Sequence, residues 1–157
     1  MKLTAAQLIE LLGLQPLPVE GGHFKETWRS PTGSAIYYLL TDDPDSFSAL
    51  HRLPTDEVYH FYLGDPVEML MLHESGRVEN VTLGPDVVGG QRVQQVVPHG
   101  VWQGSLLREG GRFALLGTTM APGFVPSDYE GGDRDALASA YPEAAPAIRR
   151  LTRRSRD

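Results

Sequence analysis

The middle of the chain alternates short apolar runs with turn residues. Nine runs have the length and alternation of β-strands, at 24–30, 35–40, 47–53, 57–63, 67–73, 77–83, 93–97, 102–107 and 113–120. Glycine- and proline-rich stretches separate them, and no helical stretch between them is long enough to connect parallel strands. The pattern therefore predicts an all-β fold, an antiparallel sandwich or barrel.

Helical patterns occur only at the two ends of the chain. Thr4 and Gln7 have capping-box spacing ahead of an apolar stripe, and Gly13 suits the helix end. Alanine-rich segments at 133–141 and 143–151 predict short C-terminal helices. Because neither a repeat nor a linker interrupts the chain, we predict one domain over 1–157. Its core would span about 14–130, followed by a helical, arginine-rich tail at 133–157.

Composition excludes several classes of protein. Hydrophobic residues make up 41% of the chain, which argues against disorder. The chain has no cysteine, so disulfides, cysteine-based zinc sites and cysteine nucleophiles are excluded. No apolar run reaches the length of a membrane span, and the first residues lack a signal pattern. We therefore expect a cytoplasmic protein with no membrane partner.

The net charge of −6 is unevenly distributed along the chain. Residues 1–148 hold nine basic against 19 acidic side chains, a balance that disfavours nucleic-acid binding by the core. The remaining basic residues cluster in the last nine positions, at Arg149, Arg150, Arg153, Arg154 and Arg156. We interpret this cluster as a solvated helix end, with nucleic-acid contact as the alternative.

The stretch from His51 to Gly64 contains the most informative candidate residues. Residues at even separation on a strand share a face, so Glu57, Tyr59 and Phe61 should point to one side of the sheet. If His51 lies on a neighbouring strand with the same inward parity, it converges with Glu57 inside the sandwich. A buried acid at that position needs a partner.

Two motifs in this region resemble those of the cupin superfamily. The first cupin motif has the form G-x5-H-x-H-x3-E-x6-G, and this chain has His51-x-Leu53-x3-Glu57-x6-Gly64. The second has the form P-x-G-x2-H, and this chain has Pro98-His-Gly100-Val-Trp-Gln103. The resemblance implies a cupin-type double-stranded β-helix, a jelly-roll sandwich with a small-molecule pocket.

The same resemblance argues against tight metal binding. In typical cupins the motifs supply four metal ligands, of which His51 and Glu57 match while Leu53 and Gln103 replace histidines. One imidazole, one carboxylate and a weak amide oxygen make a poor transition-metal site. We predict no cofactor; a weak divalent metal site, if present, would use His51, Glu57 and Gln103. His60 has the wrong parity to contribute.

A second resemblance covers about residues 14–130. The segments at 20–30, 35–40, 51–64 and 121–124 look like a small uncharacterised cupin family of yeast and bacterial proteins, whose members are dimers of undefined activity. A looser similarity links Phe24 and Glu26 to the R-G-x-F-x-E strand of dTDP-sugar 3,5-epimerases, which work without metal and use a histidine base. Gly21 stands where their arginine would be.

Together these features predict a pocket for a small polar, sugar-like molecule. His51 and Glu57 are the candidate catalytic residues, and Phe24, Glu26, Tyr59 and Gln103 the candidate ligand-binding residues. The first hypothesis is a metal-independent isomerase or epimerase with His51 as base. The alternatives are a non-catalytic binding or sensing module and a weak metal-dependent enzyme.

Two further expectations concern packing. Phe24, Trp28, Tyr59 and Phe61 have the period-2 spacing of core residues, whereas His23, Lys25 and Arg29 should be exposed. A sandwich with open edge strands also favours a homodimer that covers them.

Overall fold

A computed structural model describes residues 2–153. The order of elements is α1 (Ala5–Leu12), β1 (Gln15–Pro16), β2 (His23–Ser30), β3 (Gly33–Thr41), β4 (Phe47–Arg52), β5 (Glu57–Gly64), β6 (Val67–Leu72), β7 (Val78–Leu83), β8 (Gln94–Val97), β9 (Trp102–Leu107), β10 (Phe113–Met120), β11 (Glu130–Gly131), α2 (Arg134–Ala140) and α3 (Ala145–Arg150). Two 3₁₀ turns, Pro126–Asp128 and Pro142–Ala144, precede β11 and α3. The predicted all-β class with short terminal helices is confirmed.

The strands described within residues 2–153 form two antiparallel sheets. One has the order β1-β2-β3-β10-β5-β8 and the other β11-β4-β9-β6-β7. The sheets face each other around an apolar interior that includes Tyr38, Met69, Met71 and Leu116. The two-residue strands β1 and β11 were not predicted, because their runs are too short to show alternation.

The terminal helices cover the outer faces of the two sheets. Leu8 of α1 packs with Leu39 and Leu115 outside the first sheet. Leu137 and Ile148 of the C-terminal helices pack with Leu70 and Leu72 outside the second. Strand β6 is therefore buried on both faces beyond Glu68, which explains why Met69 to Leu72 is a continuous apolar run. None of the helices within residues 2–153 is long and apolar enough to cross a membrane.

The arginine cluster of the C-terminal tail divides into three parts. Arg149 and Arg150 are exposed at the end of α3, as a solvated helix end requires. Arg153 instead donates hydrogen bonds to the backbone of the loop between β1 and β2, at Val19 O. Arg154 and Arg156 lie outside the described residues.

Candidate functional site

A cavity of about 550 Å³ opens between the two sheets. Strands β2, β3, β4, β5 and β10 contribute its walls, together with the loop before β2 and the segment before β11. The lining residues are Leu17, Pro18, Val19, Glu20, Phe24, Glu26, Arg29, Ser34, Ile36, Tyr38, His51, Leu53, Glu57, Tyr59, Thr118, Met120, Phe124, Pro126 and Tyr129. The cavity is therefore mainly apolar, with a few ionisable groups among its lining residues.

The structure brings most of the candidate site residues to this cavity. Phe24, Glu26, His51, Glu57 and Tyr59 all line it. Gln103 lies behind the wall, 2% exposed, where its amide contacts two of those residues. Leu53 lines the cavity as an apolar residue. His60 and His99 lie elsewhere, bonded to Thr119 and Asp56 respectively.

The hydrogen bonding of His51 defines the protonation of its ring. Nδ1 lies 2.7 Å from Ala49 O. Since a carbonyl oxygen can only accept, Nδ1 must carry the proton, and the neutral ring leaves Nε2 with a free lone pair. Burial lowers the pKa of His51, although the negative charge of Glu57 opposes the shift. His51 is therefore a neutral imidazole at physiological pH.

Two neighbours fix the His51 ring in place. Its plane stacks on Tyr129, with the ring centroids 5.0 Å apart and an interplanar angle of 18°. Strand β11, which follows Tyr129 directly, pairs Gly131 with His51 on β4. The residue is only 1% exposed, so the imidazole is held between a strand and an aromatic ring.

Glu57 belongs to a buried chain of hydrogen bonds. Gln103 Nε2 donates to Glu57 Oε1 at 2.9 Å, and Tyr59 Oη donates to Gln103 Oε1 at 2.7 Å. Burial raises the pKa of Glu57, and the positive charge of a protonated His51 would lower it. Both ends of the Gln103 amide are thus used to hold Glu57 and Tyr59.

A β-bulge in β2 changes which residues face the cavity. Glu26 pairs with Ile36 but Trp28 pairs with Ala35, so one residue of β2 is extra and the alternation reverses beyond it. Arg29 consequently joins Glu26 on the cavity wall, where its Nε donates to Glu26 Oε1 at 2.8 Å. Arg29 is exposed, as predicted, but it lies at the rim of the cavity and not on the outer face of the sheet.

The same bulge makes the prediction for Trp28 wrong. Strict period-2 alternation placed this side chain in the core with Phe24. It is instead 49% exposed, because the extra residue turns it to the outer face of the sheet. A one-residue bulge has no clear signature in this strand's sequence, so the pattern of polar and apolar positions could not reveal it.

Glu20 is a largely buried carboxylic acid of the cavity that sequence reasoning missed. Its Oε1 lies 3.6 Å from His51 Nε2, and its Oε2 accepts a hydrogen bond from Ser48 Oγ at 3.2 Å. Burial raises the pKa of Glu20 to about 7, against the opposing effect of the hydrogen bond from Ser48. The adjacent Gly21-Gly22 signals a tight turn, but nothing in the sequence indicates that the turn directs Glu20 into a cavity.

The donor set around the cavity does not fit a transition metal. No group of three or more His, Cys, Asp or Glu side chains within residues 2–153 is arranged to hold a metal ion. Leu53 has no donor atom, and the Gln103 amide turns its nitrogen, not its oxygen, toward Glu57. Such a site lacks the three or four convergent ligands that tight binding requires.

Comparison with known proteins places the chain in a family. A family model described as "Cupin superfamily (DUF985)" matches residues 6–131. The uncharacterised protein YML079W of Saccharomyces cerevisiae is 29% identical over 135 residues, which cover 70% of this chain and 66% of that protein. The chain thus spans slightly less than two thirds of this relative's length.

Two solved structures are similar over almost the whole chain. Protein SO0799 from Shewanella oneidensis is 32% identical with a TM-score of 0.88, covering 98% of this chain and 100% of that one. A hypothetical protein from Leishmania major is 29% identical with a TM-score of 0.86, covering 97% and 100%. With the family match spanning most of its length, this chain belongs to the cupin superfamily, in its DUF985 family.

Proposed function

We propose that the cavity binds a small polar, sugar-like molecule and that His51 acts on it as a general base, without a metal. The observation that carries this proposal is the tautomer of His51. Its Nδ1 proton is committed to Ala49 O, so the lone pair of Nε2 is available beside Glu20 in the cavity. A buried, neutral imidazole with a fixed ring is suited to proton abstraction.

The cavity also suits a ligand of this size and character. Its volume of about 550 Å³ lies within the range of roughly 300–1,000 Å³ typical of small-molecule sites. Phe24 and Tyr129 offer aromatic surfaces, while Glu20, His51 and Glu57 offer polar groups. A compound with a polar reacting end and a less polar remainder matches this division.

The reaction we propose is proton transfer at a carbon next to a carbonyl group. His51 Nε2 takes the proton, and the electrons of the C–H bond form a carbon–carbon double bond as the carbonyl becomes an enolate. Return of a proton to the other face of that carbon gives an epimer. If that carbon carries a hydroxyl group, transfer of the hydroxyl proton to the enolate oxygen and return of the first proton to the former carbonyl carbon give an isomer. Both outcomes conserve atoms and electrons, so the reaction needs neither a redox partner nor a metal.

The test is solvent exchange in D₂O. The protein is incubated with a panel of aldoses, ketoses and their derivatives, and loss of the C–H signal is followed by proton NMR. The decisive variant is His51→Asn, whose amide nitrogen can still donate to Ala49 O but which has no basic nitrogen at the Nε2 position. His60→Asn, on the outer face of the sheet, is the matched control.

We expect exchange with at least one compound. The exchange rate should fall by at least 100-fold in His51→Asn and stay unchanged in His60→Asn. Equal exchange in both variants would refute the role of His51. Saturable binding of a panel member without exchange would instead favour a second candidate function, a non-catalytic binding or sensing module. The mainly apolar cavity wall is the observation that favours this alternative, because it supports binding without requiring proton transfer.

A further inference from the structure

The loop that carries Glu20 has an unusual backbone. Val19 has a φ of 69°, a left-handed conformation that is rare and strained for a β-branched residue. Gly21 and Gly22 follow with φ of 103° and 75°. A side chain at Gly21 would meet the Phe47 carbonyl oxygen, so the tight turn requires glycine there.

Hydrogen bonds from three directions hold this loop in place. The Glu20 carbonyl accepts from the Ala49 amide at 2.8 Å, and the Gly21 carbonyl accepts from Tyr38 Oη at 2.6 Å. Arg153 Nε donates to Val19 O at 3.1 Å, and its guanidinium lies 4.3 Å from the centre of the Phe47 ring. The strained backbone is therefore fixed by its surroundings, which is the pattern expected where strain directs a functional group.

The Glu20 carboxyl reaches the same point in the cavity as the His51 base. The 3.6 Å between Glu20 Oε1 and His51 Nε2 is too long for a good hydrogen bond, so each atom keeps its capacity to bond a ligand. Both side chains are largely buried, with 16% of Glu20 and 2% of His51 exposed. A ligand atom next to one of these groups therefore lies within reach of the other.

We propose that Glu20 is the general acid that works with His51, and that the pair acts on α-hydroxycarbonyl compounds. This inference rests on the proposed role of His51 as base. Two groups side by side on one face of the ligand are suited to moving a proton between adjacent carbons. Epimerisation at one carbon would require a donor on the opposite face.

The proposed step balances without any co-reactant. His51 Nε2 takes the proton of the hydroxyl-bearing carbon, the C–H electrons form a carbon–carbon double bond, and the carbonyl oxygen takes the proton of the Glu20 carboxyl. The product is an enediol. In the return step the Glu20 carboxylate takes the other hydroxyl proton, a new carbonyl forms, and His51 returns its proton to the adjacent carbon.

The groups around Glu20 and His51 determine the pH range in which Glu20 is protonated while His51 is neutral. Glu57, Tyr38, Tyr59 and Tyr129 face the same region, and the tyrosines stay neutral because burial raises their pKa values. Burial raises the pKa of Glu20 to about 7 and lowers that of His51. The protonated acid and the neutral base therefore coexist near neutral pH, as the proposed step requires.

The test is a pH titration of the free protein by ¹⁵N NMR of the histidine side chains, with His51 assigned through His51→Asn. In the natural protein the His51 Nε2 signal should show an inflection near pH 7, caused by ionisation of the neighbouring Glu20. Glu20→Gln should abolish this inflection. Glu26→Gln, which changes a cavity carboxylate already paired with Arg29, should retain it.

Absence of the inflection in the natural protein, or its survival in Glu20→Gln, would overturn the proposal. Loss of the inflection in both Glu20→Gln and Glu26→Gln would also overturn it, because the inflection would then reflect the net charge of the cavity and not the ionisation of Glu20. If Glu20→Gln fails to fold, Glu20→Asp, which withdraws the carboxyl by one methylene, must at least reduce the inflection. The titration needs no ligand, so a negative result would overturn the role of Glu20 but not the proposal that His51 is a base. Absence of solvent exchange would instead overturn the proposed reaction, even if the titration showed that Glu20 and His51 are coupled.

Discussion

Replacing Glu20 by glutamine should make the protein more stable at alkaline pH. The pKa of Glu20 is about 7 in the folded state, against an ordinary value of 4.5. Each pH unit between the two values corresponds to about 1.4 kcal/mol, so ionised Glu20 costs the folded state about 3 kcal/mol above pH 7. Glutamine keeps the size and polarity of the side chain and removes this cost.

The sign of the effect follows from proton binding. Between pH 4.5 and 7 the folded state binds more protons at Glu20 than the unfolded state does, so the free energy of unfolding falls as pH rises through this range. The advantage of Glu20→Gln over the natural protein should therefore be small at pH 5 and reach about 3 kcal/mol at pH 8. For a chain of this size that is about 6–12 °C in Tm.

Chemical denaturation of both proteins at pH 5 and pH 8 measures this difference. Glu26→Gln is the matched control, because Glu26 is substantially exposed and paired with Arg29, and its removal should change stability by less than about 1 kcal/mol at either pH. An advantage of Glu20→Gln that stays constant between pH 5 and pH 8 would show that Glu20 ionises normally. The buried-acid argument would then be wrong.

Three further predictions concern the cavity wall, metal and assembly. Gln103→Leu should lower the free energy of unfolding by about 2–4 kcal/mol, since it leaves Glu57 and Tyr59 without their buried partner; an unchanged denaturation midpoint would contradict this. The purified protein should hold substoichiometric zinc, nickel or iron and keep its Tm in chelator, whereas Leu53→His with Gln103→His should gain zinc-dependent stability. A full metal equivalent in the natural protein would refute the metal-free proposal. Light scattering at micromolar concentration should give twice the 17.2 kDa chain mass, because edge strand β8 with its exposed Val96 needs covering; a mass of one chain would argue against a homodimer.

Strand positions and most inward-facing residues of this fold follow from the sequence alone. Alternation correctly places Glu57 and Tyr59 on one face, because β5 is regular where they lie. The same rule fails beyond Glu26, where the bulge in β2 exchanges Trp28 for Arg29 on the cavity face. Periodicity assumes a constant step of one residue, and a bulge breaks that step without changing the composition of the strand.

The remainder of the site depends on long-range packing. Glu20 enters the cavity because the backbone of Val19 is left-handed. Residue preferences would predict this conformation for glycine or asparagine, not for valine. Contacts from Tyr38, Ala49 and Arg153 stabilise that conformation, and they come from residues distant in the chain. No local pattern around Glu20 contains this information.

The contact between Arg153 and the Glu20 loop means that the functional unit is longer than the family match. That match ends at residue 131, yet a side chain 22 positions later holds the backbone on which a cavity carboxyl depends. A chain shortened to the matched region would keep its motifs and lose this support. Transplanting the site into another scaffold, or fusing a partner directly after the last helix, should therefore preserve the sequence through Arg153.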